Sequence, residues 1–94
     1  PRAFLQRWLG NLRGAYLERG ERGRALVVLD RLLDLRSDDL ASLRARGMLS
    51  LDLGAVEAAR ADLERVATLD RGGKLGEEAE AFLARLSVKR TSLS

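Results

Sequence analysis

Residues 40–71 read LASLRARGMLSLDLGAVEAARADLERVATLDR. The first part predicts a helix from about Leu40 to Leu53. Gly54 stops it, because glycine takes up the left-handed backbone that ends helices without steric cost. Val56, Ala59, Leu63 and Val66 then recur at three- and four-residue steps, which places them on one face of a second, returning helix. Moved back by 34 residues, the stretch lies without gaps on residues 6–37, QRWLGNLRGAYLERGERGRALVVLDRLLDLRS. Leu9 meets Leu43, Leu17 meets Leu51, Gly20 meets Gly54, Ala25 meets Ala59, Leu29 meets Leu63, Arg31 meets Arg65 and Leu35 meets Leu69. A fixed period in this range is the mark of stacked structural repeats.

The first unit therefore reads as the same hairpin. Leu5, Trp8, Leu9, Leu12 and Tyr16 share a helical face, and Gly20 ends that helix. Ala25, Leu29 and Leu32, widened by Leu26, Val28 and Leu33, form the returning stripe. Ser37-Asp38-Asp39 offers side-chain oxygens to cap the next helix. After the loop Asp70-Arg71-Gly72-Gly73-Lys74, a fifth helix is predicted over about 76–86. Its buried stripe is Leu75, Ala79, Phe82, Leu83 and Leu86, and its early carboxylates Glu77, Glu78 and Glu80 suit the positive helix end. The expected organisation is one all-α domain over 1–86, with repeats at about 6–37 and 40–71, a capping helix, and a flexible tail over 87–94.

Composition excludes much of enzymology. The 94 residues contain no cysteine and no histidine. Thiol nucleophiles, disulfides, Ser–His–Asp constellations and the commonest zinc ligands are all absent. Gly72-Gly73-Lys74 lacks the spaced glycine and the following Ser or Thr of a phosphate-binding loop. Asp30 and Asp34 lie one turn apart and read as a solvated face. No catalytic residue, metal or cofactor is expected. The longest apolar run is Ala25-Leu26-Val27-Val28-Leu29, far short of the ~20 residues of a membrane span. Residues 1–24 carry six arginines against two glutamates, a net of +4, and the remainder carries eleven basic and twelve acidic residues. Fifteen arginines against two lysines suggest a GC-rich coding sequence. With no charged-then-apolar leader visible, a bacterial cytoplasmic protein is expected.

The pattern resembles the tetratricopeptide repeat family. Leu9, Leu12, Tyr16, Gly20, Ala25, Leu29 and Leu32 fit its signature in the first unit, and Leu43, Gly47, Gly54, Ala59, Leu63 and Val66 in the second. Arg13 departs from it where a small residue is preferred, Ser50 where an aromatic is usual, and Ser37 and Arg71 where proline is usual. The resemblance implies two helical hairpins and a capping helix arranged as a short right-handed superhelix. It further implies a non-catalytic protein–protein interaction or scaffold module. A narrower likeness joins Leu9-Gly10-Asn11-Leu12, Tyr16, Arg46-Gly47 and Ala61-Asp62-Leu63-Glu64 to the repeat region of SirB-type transglutaminase-like proteins. On that reading the chain is a C-terminal docking or regulatory segment whose catalytic partner domain lies elsewhere.

In this family the first helix of each unit lines a concave groove. The corresponding residues here are Arg7, Gly10, Asn11 and Gly14 in the first unit and Arg44, Met48 and Leu51 in the second. Gly10 and Gly14 each cost a helix about 1 kcal/mol relative to Ala, which close approach of another backbone would explain, whether from a partner or from the same chain. Some members clamp a terminal carboxylate with Lys and Asn. Gly10, Gly14 and Ala45 stand at those positions, so that clamp is not expected. The predicted partner is a peptide segment, a neighbouring domain or a second copy. A homodimer is favoured because repeat arrays usually need three or more units, and Trp8 beside Phe4 suits burial in the core, on another domain or on that copy. Nucleic-acid binding through the N-terminal arginines is the lesser alternative, since aromatic stacking residues are scarce.

Overall fold

The computed structural model describes residues 2–93 and is helical throughout, with no strand among the described residues. The elements are α1 (Arg2–Glu18), α2 (Arg22–Leu35), α3 (Leu40–Asp52), α4 (Val56–Leu69) and α5 (Lys74–Leu93). Each helix packs on the next in chain order, and α3 also touches α5.

The repeat is written into the backbone of the two turns. Gly20 has φ +71° and Gly54 φ +81°. The amide of Gly20 donates to the Leu17 carbonyl at 3.1 Å, and that of Glu21 to Tyr16 at 2.9 Å. Thirty-four residues on, Gly54 donates to Leu51 at 3.0 Å and Ala55 to Ser50 at 2.8 Å. This paired pattern satisfies the orphan carbonyls at a helix end and needs a left-handed residue at its corner. Both glycines are therefore turn residues, as their sequence positions predict.

Two apolar clusters follow from the two hairpins. Leu9, Ala25, Val28, Leu29 and Leu32 bury against one another and reach Leu49 of α3. Leu33, Leu43, Leu63, Val66 and Ala79 form the second, which ties α2, α3, α4 and α5 together. Helix α2 thus serves both units, with Leu29 and Leu32 on one side and Leu33 on the other. Gly47 faces α4 closely: a Cβ there would be in van der Waals contact, 3.4 Å from the Leu63 side chain and 3.5 Å from Asp62 Cβ.

Several expectations are corrected. Trp8 is 53% exposed and Leu5 40%, so the stripe of α1 enters the core only from Leu9 onward. Asp39 occupies the cap position of α3, but its carboxylate accepts a hydrogen bond from the Ser42 hydroxyl instead of capping a backbone amide. Helix α5 begins at Lys74, two residues before the predicted start, because Asp70 organises its first turn. The Gly73 amide donates to the Asp70 carbonyl at 2.9 Å, and the Gly76 amide to Asp70 Oδ2 at 3.0 Å. The backbone of 87–93 is helical and continues α5. Once a helix is nucleated, each further residue adds a backbone bond without needing a buried face. Ser94 lies outside the described residues.

Candidate partner-binding groove

Helix α2 is interposed between α1 and α3, and α4 between α3 and α5. Helices α1 and α3 are thereby held apart along one side of the array, with a furrow between them, while α5 touches α3. A cavity of about 510 Å³ occupies this furrow. Arg13 and Leu17 line it from α1, and Ala41, Arg44 and Ala45 from α3. Lys74, Leu75 and Glu78 close it from α5.

The floor is apolar and the rim is charged, with three cations against one carboxylate. Arg44 Nε donates to Glu78 Oε1 across α3 and α5. Arg13 and Lys74 make no ion pair among the described residues, so the furrow keeps a surplus of positive charge. Arg13 stands one repeat before Gly47. At Gly47 the space toward the returning helix is filled by Leu63. The long Arg13 side chain at the matching place in α1 reaches over the furrow instead.

A second polar cluster lies between α2, α3 and α4. The Arg46 guanidinium forks onto Asp62, with Nε to Oδ2 at 2.9 Å and Nη2 to Oδ1 at 2.8 Å. Its Nη1 reaches Asp30 of the first unit at 2.9 Å. Hydrogen bonding to Asp62, opposed by desolvation and assisted by Asp30, holds the guanidinium above its ordinary value. The Asp62 side chain is only 9% exposed, so this bidentate pair is a tie within the fold. Among the described residues no group of three or more His, Cys, Asp or Glu could hold a metal ion. No helix there is long and apolar enough to cross a membrane.

Residues 12–86 match the family model described as Tetratricopeptide repeat. The chain belongs to the tetratricopeptide repeat family. Tetratricopeptide repeats generally mediate protein–protein interaction or scaffolding. The match does not extend to the narrower SirB-type likeness. No curated protein and no solved structure matches the chain.

The predicted groove residues of this tetratricopeptide repeat chain are dispersed over its first helices. Arg44 lines the furrow. Arg7 and Asn11 are exposed, and Met48 is half-buried. Leu51 packs against the second core cluster. Gly10 and Gly14 are half-buried with nothing within 4 Å of where a Cβ would stand, so no helix of the same chain presses on them. Arg13, Lys74, Leu75 and Glu78 were outside the predicted set. The period itself points to one of them: 34 residues beyond Arg44 lies Glu78.

Proposed function

We propose that the chain is a non-catalytic tetratricopeptide repeat module whose α1/α3/α5 furrow receives an acidic segment of a partner protein. The observation that carries this reading is the meeting of Arg13, Arg44 and Lys74, one from each successive first helix, with Glu78 as the lone carboxylate. A peptide carboxylate entering the furrow meets two cations that have no ion-pair partner among the described residues. Leu17, Ala41, Ala45 and Leu75 offer apolar surface to the segment's side chains. Such a surface gives affinity through partial desolvation and register through charge.

The N-terminal arginines favour this over nucleic-acid binding. Arg19 and Arg24 already face Glu21, at 3.1 and 3.4 Å, and Arg22 faces Asp52 at 3.8 Å. A phosphate backbone would have to displace these carboxylates to use the positive charge.

The test is calorimetric titration with an extended peptide of alternating Glu and Leu, against a Lys–Leu peptide of the same length. The acidic peptide is expected to bind, and Arg13→Glu combined with Lys74→Glu to weaken it by about tenfold or more. Equal binding of both peptides, or no effect of the double variant, would contradict the proposal.

A further inference from the structure

At the far end of the array from α5, the first hairpin carries an apolar flank. Phe4 is 70% exposed and Trp8 53%. Leu5, Trp8 and Leu9 of α1 meet Leu35 of α2 around a cavity of about 390 Å³, with Arg31 and Asp34 at its edge. Unlike the polar outer face of a capping unit, this flank is apolar.

The repeat register shows what does not fit there. One period after Trp8 stands Ser42, which is fully buried. Beside it Leu43 joins Leu33 of α2 in one cluster. Ser42 is thus a small side chain, buried beside the residue through which α3 packs on α2. Trp8 puts an indole at that place. A helix docked on α1 in the way α2 docks on α3 would meet an exposed indole where the second unit has a small, buried side chain.

Charge points to a different occupant. Arg31 and Asp34 lie one helical turn apart on α2, both exposed, and neither makes an ion pair among the described residues. The flank is thus an apolar patch edged by one cation and one anion that have no ion-pair partner among the described residues. Such a surface complements itself: across a two-fold axis, Arg31 of each copy faces Asp34 of the other, and the two Trp8 rings meet near the axis. Trp is the residue type most able to anchor an interface of modest area. We propose that this flank is a self-association surface, on which a second copy of the chain is seated across a two-fold axis. It is separate from the α1/α3/α5 furrow and leaves that furrow open in both copies.

Sedimentation equilibrium on the full chain, from about 1 to 100 µM, tests this. The expected mass rises with concentration from the 10.4 kDa monomer toward twice that value. Trp8 is the chain's single tryptophan, so its emission moves to shorter wavelength in step with the mass. Trp8→Ala weakens association by about tenfold or more. Arg31→Asp alone places like charges opposite each other and weakens it similarly, and Arg31→Asp with Asp34→Arg restores it. Circular dichroism checks that each variant remains helical. If Trp8→Ala unfolds, the exposed Arg31 and Asp34 variants decide alone. Arg13→Glu with Lys74→Glu leaves self-association intact, so failure here is distinct from failure of the furrow. A mass fixed at the monomer over the whole range, or a double swap no better than Arg31→Asp, would overturn the proposal.

Discussion

Arg44 and Glu78 stand one repeat apart, and their side chains pair across α3 and α5 inside the furrow. Their side chains are 42% and 34% exposed, so the pair adds little to stability, about 0.2–1 kcal/mol. Its larger effect is on charge, because Glu78 neutralises one of three cations. Glu78→Gln is expected to leave the melting temperature nearly unchanged while tightening acidic-peptide binding several-fold, read by calorimetric titration. Weaker binding by this variant would show that Glu78 itself holds the ligand.

Arg46 and Asp62 occupy the positions that Leu12 and Val28 hold one period earlier. Both members of the apolar pair are exchanged for opposite charges, and the fork between them closes the gap. Arg46→Leu alone leaves the Asp62 carboxylate largely buried without its cation, at a cost of about 2–4 kcal/mol in urea unfolding. Arg46→Leu with Asp62→Val restores the first unit's chemistry and is expected within about 1 kcal/mol of the parent. Additive losses in the double variant would contradict this pairing.

The same cluster sets a pH expectation. The Arg46 guanidinium is held above its ordinary value, first by its hydrogen bonds to Asp62. A group raised on folding stabilises fully below its unfolded value and loses that contribution only as pH climbs through the folded one. Arg46 therefore stays charged, and its share of the stability is constant from neutral pH to about pH 10. Urea midpoints of the parent and of Arg46→Leu should differ by the same amount at pH 7 and pH 9.

Adding one methyl group should act with opposite sign at different glycines. At Gly76 a Cβ would collide with the backbone carbonyl of Asp70, which also anchors the first turn of α5. Gly76→Ala is expected to destabilise by about 1–3 kcal/mol or more. At Gly10 and Gly14 a Cβ meets open space inside a helix. Gly10→Ala and Gly14→Ala should each stabilise by about 0.5–1 kcal/mol. Thermal melts of the three variants check both signs.

The hairpins were legible because Gly20 and Gly54 each end a helix at the same point of an apolar pattern. Backbone conformation there depends on a single residue type, so a local signal suffices. Asp62 was not legible by hydropathy, since a buried carboxylate looks like a surface one until its partner is known. Only the period, which sets it on Val28, marks it as an inward position. The early start of α5 depends on Asp70 bonding six residues ahead, a contact without a composition signal. Of the groove residues read from the repeat, Arg44 lines the furrow. Arg13 and Lys74 line it as well, a convergence that depends on how α1 and α5 are spaced around α3.

The most direct test is amide chemical-shift mapping of the ¹⁵N-labelled chain while the acidic Glu–Leu peptide is added. The largest changes are expected at Arg13, Leu17, Ala41, Arg44, Ala45, Lys74, Leu75 and Glu78, on the three first helices together. Changes confined to the flank around Trp8 and Leu35, or scattered over α2 and α4, would contradict the account.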